Sequence, residues 1–250
     1  MLTPTVENTL KAIYDFGGYA TTEMLCAWRP EVSRSYQAKV LQILTLEKYL
    51  VTRPNLRYGN MPKVYQVTGK TCALYGNPNS YRKSVHNETY VRRSLLRSLF
   101  LFRLVGSGYP YEDILASNED RVNLLQQMAV QPAGLPAKMI YGERSIQIEE
   151  YILRKSPGSG GEGLTILHTH KPGFSPRKQL YSLCERYAEI SETLDPPPSV
   201  YVVCEHEGDA AAYLRAAKNR SGSITSNIEV CSLGADLNTA QKQQKSGSNL

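Results

Sequence analysis

Apolar positions at the start of the chain recur at helical spacing. Val6, Leu10, Ile13 and Tyr14 stand at i, i+4, i+7 and i+8, so they share one face of a helix. Thr3 or Thr5 caps that helix, which ends near Phe16 before Gly17-Gly18. Tyr19-Ala20 is a short extended piece. Thr21 or Thr22 then caps a second helix, Glu23 to Trp28, stopped at Arg29-Pro30. Ser33 or Ser35 opens a third helix, in which Ala38, Val40, Leu41, Leu44 and Leu46 face the first two. After Leu50 the period changes. Val51 to Asn60 and Lys63 to Thr68 read as two strands joined around Gly59-Asn60.

A short helix follows over Gly69–Tyr75, and Gly76-Asn77-Pro78-Asn79-Ser80 is a turn-rich break. Gly69-Lys70-Thr71 is not a phosphate loop, because position 64 is Val where that motif needs glycine. From Lys83 to Val105 the pattern is helical again, with Val85, Tyr90, Val91, Leu95, Leu96, Leu99 and Phe102 apolar. This segment is expected to link two domains, with Arg92, Arg93 and Arg97 on or near its solvent side. Gly106 to Pro110 is a second break.

Ser117-Asn118-Glu119-Asp120 is a capping box, and the helix it opens runs to about Val130. Three strand-like runs come next: Lys138–Tyr141, Ser145–Leu153 and Leu164–His170. The glycine-rich stretch 156–163 separates the last two and is expected to be mobile. A helix starts at Ser175-Pro176 and reaches about Leu194. Val200–Cys204 is a buried-type strand, Asp209–Lys218 a helix, and Ile228–Leu233 a last strand. Residues 234–250 are polar and read as a disordered tail. The second half thus runs α-β-β-β-α-β-α-β, which predicts a mixed sheet flanked by helices.

Charge sharpens this division. The net charge is +6 over 250 residues, but residues 1–110 carry 15 Lys/Arg against 6 Asp/Glu, giving +9, while residues 111–250 carry 14 against 17, giving −3. Such an excess favours a polyanionic partner. Five scattered cysteines without a Cys-x-x-Cys fit free thiols in a reducing cytoplasm. No apolar run reaches the roughly 18 residues of a membrane span, and Met1-Leu2-Thr3-Pro4-Thr5-Val6-Glu7 lacks the regions of a signal peptide. A cytoplasmic location and no membrane partner are expected.

Three helices followed by a hairpin with a basic tip resemble a winged helix-turn-helix. In that arrangement the third helix enters the major groove with its N-terminal residues nearest the bases. The expected DNA-binding residues are Ser33, Arg34, Ser35, Tyr36, Gln37 and Lys39 on the helix, and Arg53, Arg57, Tyr58 and Lys63 around the wing. Arg reads guanine and Gln reads adenine with paired hydrogen bonds, while Ser and Lys suit phosphates.

A winged helix over 1–76, a connecting helix over 77–110 and a mixed-sheet domain over 111–233 together resemble the replication-relaxation family of plasmid and integrative-element proteins. The resemblance implies an α+β/α/β chain whose second domain has a restriction-endonuclease-like core. Members of that wider fold use an acidic residue, often in Pro-Asp, and a Glu-x-Lys-like pair to hold a divalent metal. Here Leu135-Pro136-Ala137-Lys138 has alanine at the acidic place. The following strands offer Glu149 and Glu150, or His168, His170 and Lys171, as the only candidate catalytic set. His168 and His170 are two apart on a strand and face one side. His86, and Glu205-His206-Glu207, read as structural or solvated. None of the 17 tyrosines stands out as a nucleophile.

The expectation is a sequence-specific double-stranded DNA-binding protein of a mobile element, acting in replication or conjugative transfer with other proteins of those processes. Its nuclease-like domain is degenerate and takes no cofactor, and a homodimer is compatible with this. Two alternatives remain. One is an active nickase or relaxase with an atypical Glu/His site using Mg²⁺ or Mn²⁺. The other is a transcriptional regulator whose second half dimerises.

Overall fold

The computed structural model describes residues 2–53, 63–76, 86–128, 150–155, 157, 162–219 and 228–233. The chain is a mixed α/β protein that divides into two compact units, Met1–Tyr109 and Pro110–Leu250. The strand expected at 138–141, the glycine-rich loop save residues 157, 162 and 163, and the tail all lie outside the described residues.

Unit 1 opens with α1 (Pro4–Asp15), β1 (Tyr19–Ala20), α2 (Thr22–Trp28) and α3 (Arg34–Leu46). Two caps chosen by hydroxyl residues set the helix starts. Thr21 accepts from the Met24 amide and Ser33 from the Tyr36 amide. The ends of α1 and α3 share one hydrogen-bond pattern. Gly18 N–H donates to Ile13 O and Gly17 N–H to Tyr14 O, and likewise Tyr49 N–H to Leu44 O and Lys48 N–H to Thr45 O. In the second case the left-handed position is held by Lys48, at φ 60°. Strands β2 (Leu50–Arg53) and β3 (Val64–Val67) pair antiparallel, and β1 adds on the other side of β3. The short helix α4 (Gly69–Leu74) follows.

The expected linking helix is α5 (Glu88–Gly106), and it belongs to the core of unit 1. Phe102 meets Phe16 edge to face at 4.9 Å and lies 5.6 Å from Trp28. The Ser98 hydroxyl donates to Phe16 O at 2.8 Å. Arg92, Arg93 and Arg97 are half-buried, because the buried stripe is wide: Val91, Leu95, Leu96, Leu99, Phe100, Leu101 and Phe102 are all covered.

Unit 2 contains a five-stranded sheet in the order β4 (Ile114–Leu115), β5 (Tyr151–Lys155), β6 (Glu162–Thr169), β7 (Ser199–Cys204), β8 (Ile228–Ser232). The first three pair antiparallel and the last three parallel. Helix α6 (Asn118–Met128) lies between β4 and β5 in sequence, and the Ser117 hydroxyl caps it through the Asp120 amide. Helices α7 (Pro176–Thr193) and α8 (Glu207–Lys218) make the two crossovers between parallel strands. They bury Leu180, Leu183, Tyr187, Ile190 and Tyr213 with Leu164, Ile166, Val200 and Val202 of the sheet. β5 pairs antiparallel with β6 and, on its other edge, with β4, which precedes α6. A two-residue strand shows no alternation, so the sequence pattern did not mark it.

Candidate functional site

Two places in the structure carry the residues expected to act, and each is local to its own unit. The first is the outer face of α3. One side of this helix is fixed by Val40, Leu41 and Leu44, all buried. Ser33, Arg34, Ser35, Tyr36 and Lys39 are exposed, Tyr36 at 44 %. Lys63 is exposed before β3, and Arg53 is half-buried with its Nε donating to Gln66 Oε1 at 2.7 Å. Arg57 and Tyr58 lie outside the described residues.

Gln37 does not belong to this face. It is buried, and its amide donates to Leu25 O at 3.4 Å, tying α3 to α2. The reason is periodicity: positions 37, 40, 41 and 44 are i, i+3, i+4 and i+7, one helical stripe. Arg34 is exposed but engaged, its Nη2 paired with Glu23 Oε1 on α2. Gln42, which the sequence reading passed over, is exposed on α3. Its spacing of three from Lys39 was the available signal.

The second place is a buried polar cluster at the carboxyl end of β6, on the face covered by α7 and α8. Glu150 immediately precedes β5, and Tyr151 is in register with Leu167, so Glu150 falls opposite His168. Glu150, His168 and His170 are all buried. They converge, as the parity of the two strands requires. Arg186 of α7 grips the Glu150 carboxylate with two nitrogens, Nη2 to Oε1 at 2.7 Å and Nη1 to Oε2 at 3.2 Å. The Tyr187 hydroxyl donates to Oε2 at 3.1 Å. Burial, with the Glu150 charge beside it, pushes the Tyr187 phenol well above its ordinary range.

The histidines are held by Gln179 of α7 and Tyr213 of α8. His168 Nδ1 lies 3.5 Å from Glu150 Oε1, and its Nε2 lies 3.4 Å from the Tyr213 hydroxyl and 3.4 Å from Gln179 Oε1. His170 Nδ1 lies 3.1 Å from Gln179 Nε2 and 3.3 Å from the Tyr213 hydroxyl, while its Nε2 lies 3.5 Å from Asp209 Oδ2. Which ring nitrogens donate is set by the tautomers, and the two hydrogens of Gln179 Nε2 are shared among three acceptors, His170 Nδ1, Lys171 O and Phe174 O. Burial lowers the His170 pKa, against the raising pull of Asp209 and with the added lowering effect of His168.

Gln179 also accepts from the Lys171 amide at 2.9 Å and donates to Lys171 O and Phe174 O, both at 3.2 Å. It therefore secures the turn after β6. Lys171 is half-buried at that turn. Glu149 lies outside the described residues. Gln179, Arg186, Tyr187, Asp209 and Tyr213 were not expected in this cluster. Gln179 carried a signal, since it sits four residues before Leu183 and eight before Tyr187, on the buried stripe of α7. Chemically, the cluster is a charge-compensated network: the carboxylate already accepts three hydrogen bonds. Among the described residues no group of three or more His, Cys, Asp or Glu is placed to hold a metal ion. No described helix is long and apolar enough to cross a membrane.

No protein-family model, no curated protein and no solved structure matches the chain.

Proposed function

We propose that the protein binds double-stranded DNA through the first unit, acting as a winged helix-turn-helix with α3 in the major groove. The observation that carries this reading is the division of α3. Its inner stripe is locked to α2 and the core, while its first two turns offer Ser33, Ser35, Tyr36 and Lys39 to solvent. An antiparallel hairpin follows directly, with Lys63 exposed beside it. The +9 charge of residues 1–110 is the electrostatic footprint such a surface needs.

The second unit then serves as a scaffold with the strand order and crossovers of a nuclease-like sheet, its central carboxylate engaged by Arg186 and Tyr187 rather than open to solvent. A role at an origin of replication or transfer of a mobile element fits a DNA reader joined to such a scaffold. The approach of Glu150 to His168, 3.5 Å apart, is the observation behind one second reading, a metal-dependent nickase.

Duplex binding measured against salt tests the first reading. Log affinity falls linearly with log salt, by about 0.9 for each phosphate neutralised. Absence of any duplex affinity at low salt removes the reading. Supercoiled plasmid incubated with Mg²⁺ or Mn²⁺ stays intact under it. Nicking that disappears in Glu150→Gln replaces it with the second.

A further inference from the structure

On the DNA-binding reading above, we infer that Gln42 is the base-reading residue of α3 and that it specifies an adenine. Arg34 is the residue type best suited to a guanine, but its guanidinium is held by Glu23. Gln37 is the type suited to adenine nearest the helix start, but it is buried and bonded to Leu25 O. Beside the exposed Tyr36, the outward side of the helix carries the stripe Ser35, Lys39, Gln42 and Leu46, at i, i+4, i+7 and i+11. Among the described residues the side chains of Ser35, Lys39 and Gln42 make no hydrogen bond, so their donors and acceptors are open to a partner.

Within this stripe each residue has one chemistry to offer. Ser35 and Lys39 suit phosphate oxygens. Gln42 presents a carboxamide, an acceptor beside a donor, which matches the N6 amino group and N7 of adenine. Leu46 is 72 % exposed, the largest exposure of any big apolar side chain described. One turn separates it from Gln42, about 6 Å along the axis, or nearly two base-pair steps. An apolar side chain there suits the methyl group of a thymine. The stripe is thus built for A·T pairs, with Gln42 supplying the directional hydrogen bonds.

The test begins with duplexes selected by the wild-type protein from a randomised pool. Wild type prefers adenine at one position by roughly 5- to 150-fold. 7-Deaza-adenine there removes the N7 acceptor and lowers wild-type affinity about tenfold. Gln42→Ala, whose circular dichroism and melting match wild type, loses both effects and keeps its affinity for non-selected duplex. Gln42→Glu transfers the preference to cytosine, whose N4 amino group donates to a carboxylate. An adenine preference retained in Gln42→Ala overturns the inference, as does equal wild-type affinity for every sequence, which leaves the DNA reading standing. If wild type binds no duplex, both fall together.

Discussion

Glu150 and His168 face each other across two antiparallel strands, Oε1 to Nδ1 at 3.5 Å, with neither side chain open to solvent. A buried carboxylate is tolerated only where its charge and lone pairs are met. Here Arg186 supplies the charge and Tyr187 a further hydrogen bond. Removing Glu150 therefore strands a partly covered guanidinium, a phenol and an imidazole. Glu150→Ala is expected to cost about 3 kcal/mol, read from urea denaturation. Adding Arg186→Met recovers part of the loss, because the unpaired charge goes with it. A Glu150→Ala variant as stable as wild type would contradict this account.

His170 makes the protein sensitive to mild acid. Its pKa is lowered in the folded state, so the neutral ring is the one that folding favours. In the unfolded chain the ring takes up its proton near pH 6.5. Between that pH and the lower folded pKa the unfolded state binds more protons. Stability is therefore complete above about pH 6.5 and falls below it, by at most about 1.4 kcal/mol per pH unit for this group. His170→Asn, compared with wild type in denaturant melts between pH 7.5 and 5, shows a shallower decline.

Gly106 ends α5 against the backbone of α2. A Cβ placed there would stand 2.1 Å from Ala27 O. That neighbour is a backbone atom and cannot swing away. Alanine is otherwise the better helix residue by roughly 0.5–1 kcal/mol, so the sign tests the packing. Gly106→Ala is expected to destabilise unit 1 by about 2 kcal/mol net. A rise in melting temperature would show that α5 and α2 stand further apart.

The Glu23–Arg34 pair joins α2 and α3 of the first unit. As an exposed ion pair it contributes between roughly 0 and 1 kcal/mol to folding. Its larger effect is expected on binding, because it occupies a guanidinium next to the proposed groove surface. Glu23→Gln leaves thermal stability nearly unchanged, frees Arg34 for phosphate and steepens the salt dependence of duplex binding by about one phosphate, or 0.9 in slope. An unaltered slope would place Arg34 away from the DNA.

Local signals carried most of the elements. Thr21 or Thr22, Ser33 or Ser35, and Ser117 were legible as caps because capping is decided within three residues, and Thr21, Ser33 and Ser117 do cap their helices, whereas Thr3, before α1, makes no side-chain cap bond. Gln37 shows the limit of reading residue types without their phase. Its chemistry suggested a base contact, while its spacing from Val40, Leu41 and Leu44 had already assigned it to the interior. α5 was legible as a helix, but its packing against Phe16 and Trp28 depends on contacts far apart in sequence.

The sequence by itself determined the helices, most strands, the strand parity that places His168 and His170 on one face, and the basic first half. These follow from period, caps and charge, all properties of neighbouring residues. Only the tertiary structure decided what surrounds the histidines. Gln179, Asp209 and Tyr213 reach them, and Arg186 reaches the neighbouring Glu150, because two crossovers return α7 and α8 to the same sheet face. Burial then fixes the chemistry, since a carboxylate or imidazole removed from water must find its partners within the fold.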